Sequence, residues 1–205
     1  MSDGRRCPAC GEPLYGWVVV GQNGDRQGPR RLLDRCESCG LGIAHDAEDA
    51  ALEIPSDGPI SVPNRRSWQA GLGGAHWAPL ELEPRSSYPT PEAVERLLER
   101  SGGELVSLRQ PALGTNQLWM WQTLLNAFTF HDGFAVRVLR RRLRPRTARS
   151  GVTFALDLIV SLVAALPVAV VSVPLELLAV AVRRGGLIEA EVKAPRGQAP
   201  PSASG

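Results

Sequence analysis

Lysine is almost missing from this 205-residue chain: of its 23 basic residues 22 are arginine, and only Lys193 is lysine. That bias is in keeping with a GC-rich coding sequence. Aromatic residues are scarce at 5%, so the 43% hydrophobic content rests on Ala, Val and Leu. An excess of one charge is lacking too, since 23 Lys+Arg against 21 Asp+Glu leave a net +2. Bulk charge therefore implies no nucleic-acid partner, and electrostatic arguments must rest on local patches. The length allows one full domain or two small ones and excludes a large multidomain enzyme. The first residues are polar and lead at once into a cysteine pair, so no secretory signal peptide is expected. Histidine occurs three times, at His45, His76 and His131, and nothing like G-x-S-x-G accompanies the serines. Each His is expected to have a structural or surface role, with His131-Asp132-Gly133 marking a turn, and no catalytic residue is assigned.

What the chain does have is two matched C-x-x-C-G turns, Cys7-Pro-Ala-Cys10-Gly11 and Cys36-Glu-Ser-Cys39-Gly40, with 25 residues between them. Four soft thiolates from two short turns are what a tetrahedral Zn(II) site needs. The glycine after each pair lets the backbone turn tightly, so that amides can face the sulfurs. Disulfides would need an oxidising compartment, and a redox pair would use one C-x-x-C in a βαβ context. The spacing therefore predicts a zinc ribbon over residues 1–43, with Cys7, Cys10, Cys36 and Cys39 as ligands. With no open coordination position the metal is structural. Leu14–Val20 reads as a strand, Gln22-Asn23-Gly24-Asp25 as a turn, and residues 30–36 as the return strand.

Residues 44–61 read as an acidic, Pro-rich linker, because 44–58 hold five acids and no Lys or Arg. Residues 65–70 begin a helix that Gly71-Leu-Gly-Gly74 ends. Thr90–Gly102 is the clearest soluble helix: Thr90 caps it, Pro91 takes the first position, and Ala93, Val94, Leu97 and Leu98 form its apolar face. Glu104–Arg109 follows as a strand. Residues 118–130 are apolar and carry Trp119, Trp121, Phe128 and Phe130, suited to a core or to a bilayer interface.

Arg137–Arg149 places seven arginines and no acid just before a long apolar stretch. Residues 158–175 contain no charge, and the stretch from Val152 to Val182 is interrupted only by Asp157 and Glu176. A helix crosses a bilayer with about 20 apolar residues. A buried core helix would need more protein around it than this chain offers. A single span would leave positive charge on both faces, which the positive-inside rule disfavours. A hairpin broken at Pro167 and Pro174 keeps both basic flanks on the cytoplasmic side and is the preferred expectation. The partner so implied is anionic lipid, met by Arg137–Arg149 and by the apolar residues 152–182.

Val62-Pro-Asn-Arg-Arg-Ser-Trp68 through Gly71, Trp77 and Leu80-Glu-Leu-Glu-Pro-Arg85 resembles a stretch of class I S-adenosylmethionine-dependent methyltransferases. There a "PN" strand end leads through a "GxxW" loop to a "PRH" segment, and here Ser86 stands where the His would be. Residues 88–102 resemble the family's next helix, Leu105–Arg109 its next strand, and Gly185–Val192 its last. An N-terminal zinc ribbon occurs in some bacterial members. The resemblance covers the C-terminal half of that domain together with the ribbon. The cofactor-binding half is missing, because only about 20 residues separate Cys39 from Val62 and no strand leads into a glycine-rich turn.

The fold expected is thus α+β: the ribbon at 1–43, a partial Rossmann-like α/β remnant at 62–136, an Arg-rich segment at 137–151, a hydrophobic membrane-associated helical segment at 152–184, and a short strand and tail at 185–205. The function expected is a membrane-associated zinc-ribbon protein on the cytoplasmic face, non-catalytic and meeting a protein or lipid partner. The alternative is a methyltransferase, or a subunit of one, that completes its S-adenosylmethionine site with another chain. Nucleic acid is not expected, since residues 14–20 lack interleaved Arg and aromatics.

Overall fold

A computed structural model describes residues 4–21, 30–47, 58–82, 84–140 and 148–193. The turn at 22–25, most of the acidic linker, much of the Arg-rich segment and the C-terminal tail lie outside the described residues. Within them the fold is α+β, with two small antiparallel sheets and six α-helices.

The first sheet has the order β1-β2-β3-β5, formed by Leu14–Gly21, Arg30–Cys36, Gly42–Ala44 and Ser87–Tyr88. β1 and β2 fall where the β-branched and aromatic content places them, with a bulge at Trp17. The strand β5 comes from far along the chain and pairs with β3, Gly42 opposite Tyr88. The N-terminal segment that carries the cysteine turns is therefore built into the remainder of the molecule. The segment 44–61 is also structured at both ends: Ala44 belongs to β3, and Gly58–Pro63 form β4. Only residues 48–57 of the expected linker remain undescribed.

The second sheet runs β4-β7-β6, with β6 at Glu104–Arg109 and β7 at Leu187–Lys193. The central β7 is antiparallel to both neighbours, which makes β4 and β6 parallel to each other. Helix α3 (Pro91–Ser101) covers one face. Thr90 caps it by accepting from the Ala93 N–H, and Gly102 ends it at φ +74°, the left-handed conformation glycine takes most readily. Its apolar stripe serves two surfaces. Ala93 packs on the cysteine turns, while Val94 and Leu98 pack on Ile60, Val62, Ile188 and Val192.

Helix α1 (Trp68–Gly73) is capped by Ser67 and runs through Gly71 to end at Gly74. A 3-10 turn and α2 (Ala78–Leu82) follow, and bury Trp77 between Trp17 and Tyr88. Helices α4 (Thr115–Asn126) and α5 (Phe134–Leu139) then lie against α6, Ala148–Ala181. Residues 151–181 make α6 the one described helix long and apolar enough to cross a membrane.

The expected hairpin is overturned, because α6 continues unbroken through Pro167 and Pro174. Each proline removes one N–H from the helix ladder, but both sit on the exposed side, where their rings meet no neighbouring element. Nor is α6 apolar all round. Asp157, Ser161, Ser172 and Glu176 recur on its buried side, and the exposed side carries Leu158, Leu162, Leu166, Val170 and Leu177. The two acids that interrupt the hydrophobic run are thus the residues turned inward.

Candidate metal centre

Each cysteine turn is a tight backbone loop. The Gly11 N–H donates to the Cys7 carbonyl and the Gly40 N–H to the Cys36 carbonyl, while Cys7 N–H and Cys36 N–H bond back to Glu12 O and Leu41 O. Both glycines adopt left-handed φ, +80° at Gly11 and +76° at Gly40, which a side chain would strain. The fold brings the two turns together because Cys36 ends β2 opposite Leu14, the first residue of β1.

The four sulfurs lie within 4.8 Å of one another. Cys7 Sγ is 3.5 Å from Cys39 Sγ, and Cys10 Sγ is 3.4 Å from Cys36 Sγ and 3.7 Å from Cys39 Sγ. Sulfurs sharing a tetrahedral ion at the usual metal–sulfur length stand ~3.8 Å apart, whereas disulfide sulfurs stand about 2.05 Å apart. Backbone amides of Ser38 and Cys39 face the Cys36 sulfur, and that of Leu41 faces Cys39. Those amides stabilise thiolate charge. As thiols, Cys36 is pushed above its ordinary pKa chiefly by burial, and Cys39 chiefly by its hydrogen bond with Cys7. Four crowded, mostly buried sulfurs are a donor set that a cation would hold together. Cys7, Cys10, Cys36 and Cys39 can hold a metal ion, so the structure gathers all four ligands singled out by spacing.

Around the sulfurs lies a layer that spacing does not reveal. The Thr90 hydroxyl, while capping α3, donates to Cys39 O at 2.6 Å. Arg65 donates to Gly40 O at 3.0 Å, and its guanidinium lies 4.5 Å over the Trp17 ring. Burial, with Arg35 nearby, lowers the Arg65 pKa to about 10. Arg100, in the last turn of α3, donates to Pro8 O on the first knuckle. The N-cap signal marks Thr90 as a helix start, but its second bond depends on a contact 51 residues away.

The three histidines each meet a carboxylate. His45 Nδ1 lies 2.7 Å from Asp34, His76 Nδ1 3.0 Å from Asp132, and His131 Nδ1 2.7 Å from Asp157. Each pairs with a different carboxylate, although His76 and His131 are brought near one another because Asp132 follows His131 in the chain. Asp157 also accepts from the N–H groups of Phe130 and His131, so His131 is a tie between that turn and α6.

A second buried polar cluster lies under the far end of α6. Glu176 Oε2 accepts from Gln69 Nε2 at 2.7 Å, and Oε1 accepts from the Gly186 N–H at 3.0 Å and from Asn116 Nδ2. Hydrophobic patterning marks Glu176 only as an interruption.

Comparison with protein-family models, curated proteins and solved structures returned no match for this chain.

Proposed function

We propose that the chain is a zinc-binding protein attached to the cytoplasmic face of a membrane, resembling a truncated methyltransferase and working by contact with a protein or lipid partner. The observation that carries this reading is the outer side of α6, a row of leucines and valines left uncovered by a body that buries the helix's acids. Water disfavours a continuous apolar surface of this kind, and lipid removes the cost. Zinc is the ion that best suits four thiolates in two knuckles. Bound there by Cys7, Cys10, Cys36 and Cys39, it would supply folding energy and no reactive position.

A second reading, a methyltransferase subunit whose cofactor site is completed by another chain, is favoured by one observation. The segments carrying the family resemblance include β4, β6 and β7, which are neighbours in one sheet. The outer edge of β4 has no strand partner among the described residues. That edge is poorly equipped to gain one. The Asn64 N–H points to Gly186 O, just before β7, so by alternation Pro59, Ser61 and Pro63 face outward. Proline has no N–H, which leaves Ser61 as the sole outward donor, and edge prolines oppose strand addition. The interaction reading is therefore preferred.

Calorimetric titration of the detergent-solubilised, zinc-loaded chain with S-adenosylmethionine separates the two. The expected result is no saturable heat up to millimolar ligand, with the protein sedimenting with membranes before solubilisation. Saturable binding would reverse the order of the two readings.

A further inference from the structure

We infer that α6 lies flat in the surface of an anionic bilayer, its outer face dipped among the acyl chains and the ribbon body on the same side. This rests on the membrane reading above and specifies its geometry.

The decisive feature is what runs beside the helix. Near its start, Asp157 is bound by Phe130 and His131. At its middle, Trp121 Nε1 donates to Ala165 O at 2.9 Å, and Gln117 Nε2 donates to Ser172 Oγ at 2.7 Å. Near its end, Glu176 is bound by Gln69, Asn116 and Gly186. The body therefore accompanies α6 along its length and does not stop at one end. For α6 to cross a bilayer, α4 would have to enter with it, and α4 is packed in turn on α1 and α2. Half of α4 is polar: Thr115, Asn116, Gln117, Gln122, Thr123 and Asn126. Moving that layer into hydrocarbon is prohibitive.

Lying flat removes the conflict. The polar side of α6 keeps its partners, and the opposite side, with Leu162 and Leu166 each over 70% exposed, meets lipid along a helix ~46 Å long. Charge supports the same placement. Arginines cluster before the helix, five within 140–146, and Arg183 and Arg184 follow it. A spanning helix would strand one cluster on the wrong side, whereas a flat one sets both against anionic headgroups. Phe128 and Phe130, both exposed beside its N-terminal half, suit the interfacial zone.

The test is carried out on the full chain with an epitope tag at each terminus, expressed in a bacterial host. Protease is added to inverted membrane vesicles and, separately, to spheroplasts. The expected outcome is a membrane-bound chain with both tags cut in inverted vesicles and both protected in spheroplasts. Tags on opposite sides would overturn the flat placement and leave the membrane reading intact. A chain found in the soluble fraction, as monomer or as a dimer paired through α6, would overturn both. Two variants probe the surface itself with purified protein and vesicles. L166Q, at an exposed position, keeps the wild-type thermal unfolding but lowers partitioning roughly tenfold. R183Q/R184Q lowers partitioning into vesicles rich in phosphatidylglycerol by roughly 25-fold and leaves the weak binding to phosphatidylcholine unchanged. Equal loss on both lipids would contradict the charge argument.

Discussion

The sulfurs and the groups around them respond very differently to single substitutions. Removing one of four metal ligands leaves a site that cannot close, and the binding energy of a structural zinc site, about 10 kcal/mol or more, is largely folding energy. On the zinc reading proposed above, C39S, which also removes the sulfur faced by the Leu41 amide, should reduce bound metal to near zero and remove the metal-dependent part of the unfolding transition. Metal analysis with thermal denaturation checks both. Arg65→Ala is milder: it deletes a charged donor to Gly40 O and the stacking over Trp17, while the sulfurs stay in place. A loss of about 2–3 kcal/mol with zinc stoichiometry unchanged is expected from those two contacts. Gly186→Ala fails by collision. A Cβ there would sit 2.2 Å from Gln69 Nε2 and 2.4 Å from Asn116 Oδ1, inside a buried cluster with no room to yield. Overpacking of this severity costs about 3 kcal/mol or more, readable as a large drop in the urea midpoint.

At the scale of elements, α6 shows why its two carboxylates matter. Glu176 receives donors on both oxygens, so Glu176→Gln forces an NH2 against an N–H or an amide nitrogen. Unfolding in detergent should show a loss of about 2 kcal/mol or more despite the matched shape. Pro167→Ala is expected to act in the opposite sense: it restores a helix bond to Val163 O on an exposed face. A gain of roughly 1–3 kcal/mol by the same measurement is expected. The elements that sequence signals located, β1, β2, α3 and β6, are those whose signals are local. Thr90, Pro91 and Gly102 punctuate α3, and β-branched and aromatic content marks β1. What escaped detection depends on distant partners. β3 is three residues long, and nothing in Gly42-Ile43-Ala44 announces that Ser87 and Tyr88 will pair with it. Gly58–Pro63 carries prolines that signal a break, yet β7 from 130 residues onward holds it as a strand. Prolines 167 and 174 likewise signal a break, but the α4 contacts on the opposite side keep α6 in one piece. The cysteine cluster was legible because four cysteines in two matched turns need no tertiary information. Thr90, Arg65 and Arg100 around them were not, since each reaches the knuckles from another part of the chain.

On the scale of the whole molecule, the metal centre and the second sheet share one helix. Ala93 packs among the cysteines while Val94 and Leu98 pack on β4 and β7, so α3 is clamped between the two. Thr90 at its start and Arg100 in its last turn fasten it to knuckle carbonyls, and Arg65 separately ties the segment after β4 to Gly40 O. Loss of the metal would therefore spread past the cysteines. Once the knuckles open, Thr90 loses Cys39 O, Ala93 loses its packing, and β5 loses the β3 strand on which it pairs. The α4–α6 layer has its own ties at Asp157 and Glu176. Chelation of the full chain in detergent should then unfold it in two parts. Hydrogen exchange should rise in residues 5–21 and 30–44 and equally in 87–101, while 115–126 and 151–181 stay protected. Exchange confined to 5–21 and 30–44 would show the cysteine-turn segment to be an independent module, and the clamp through α3 to carry no energy.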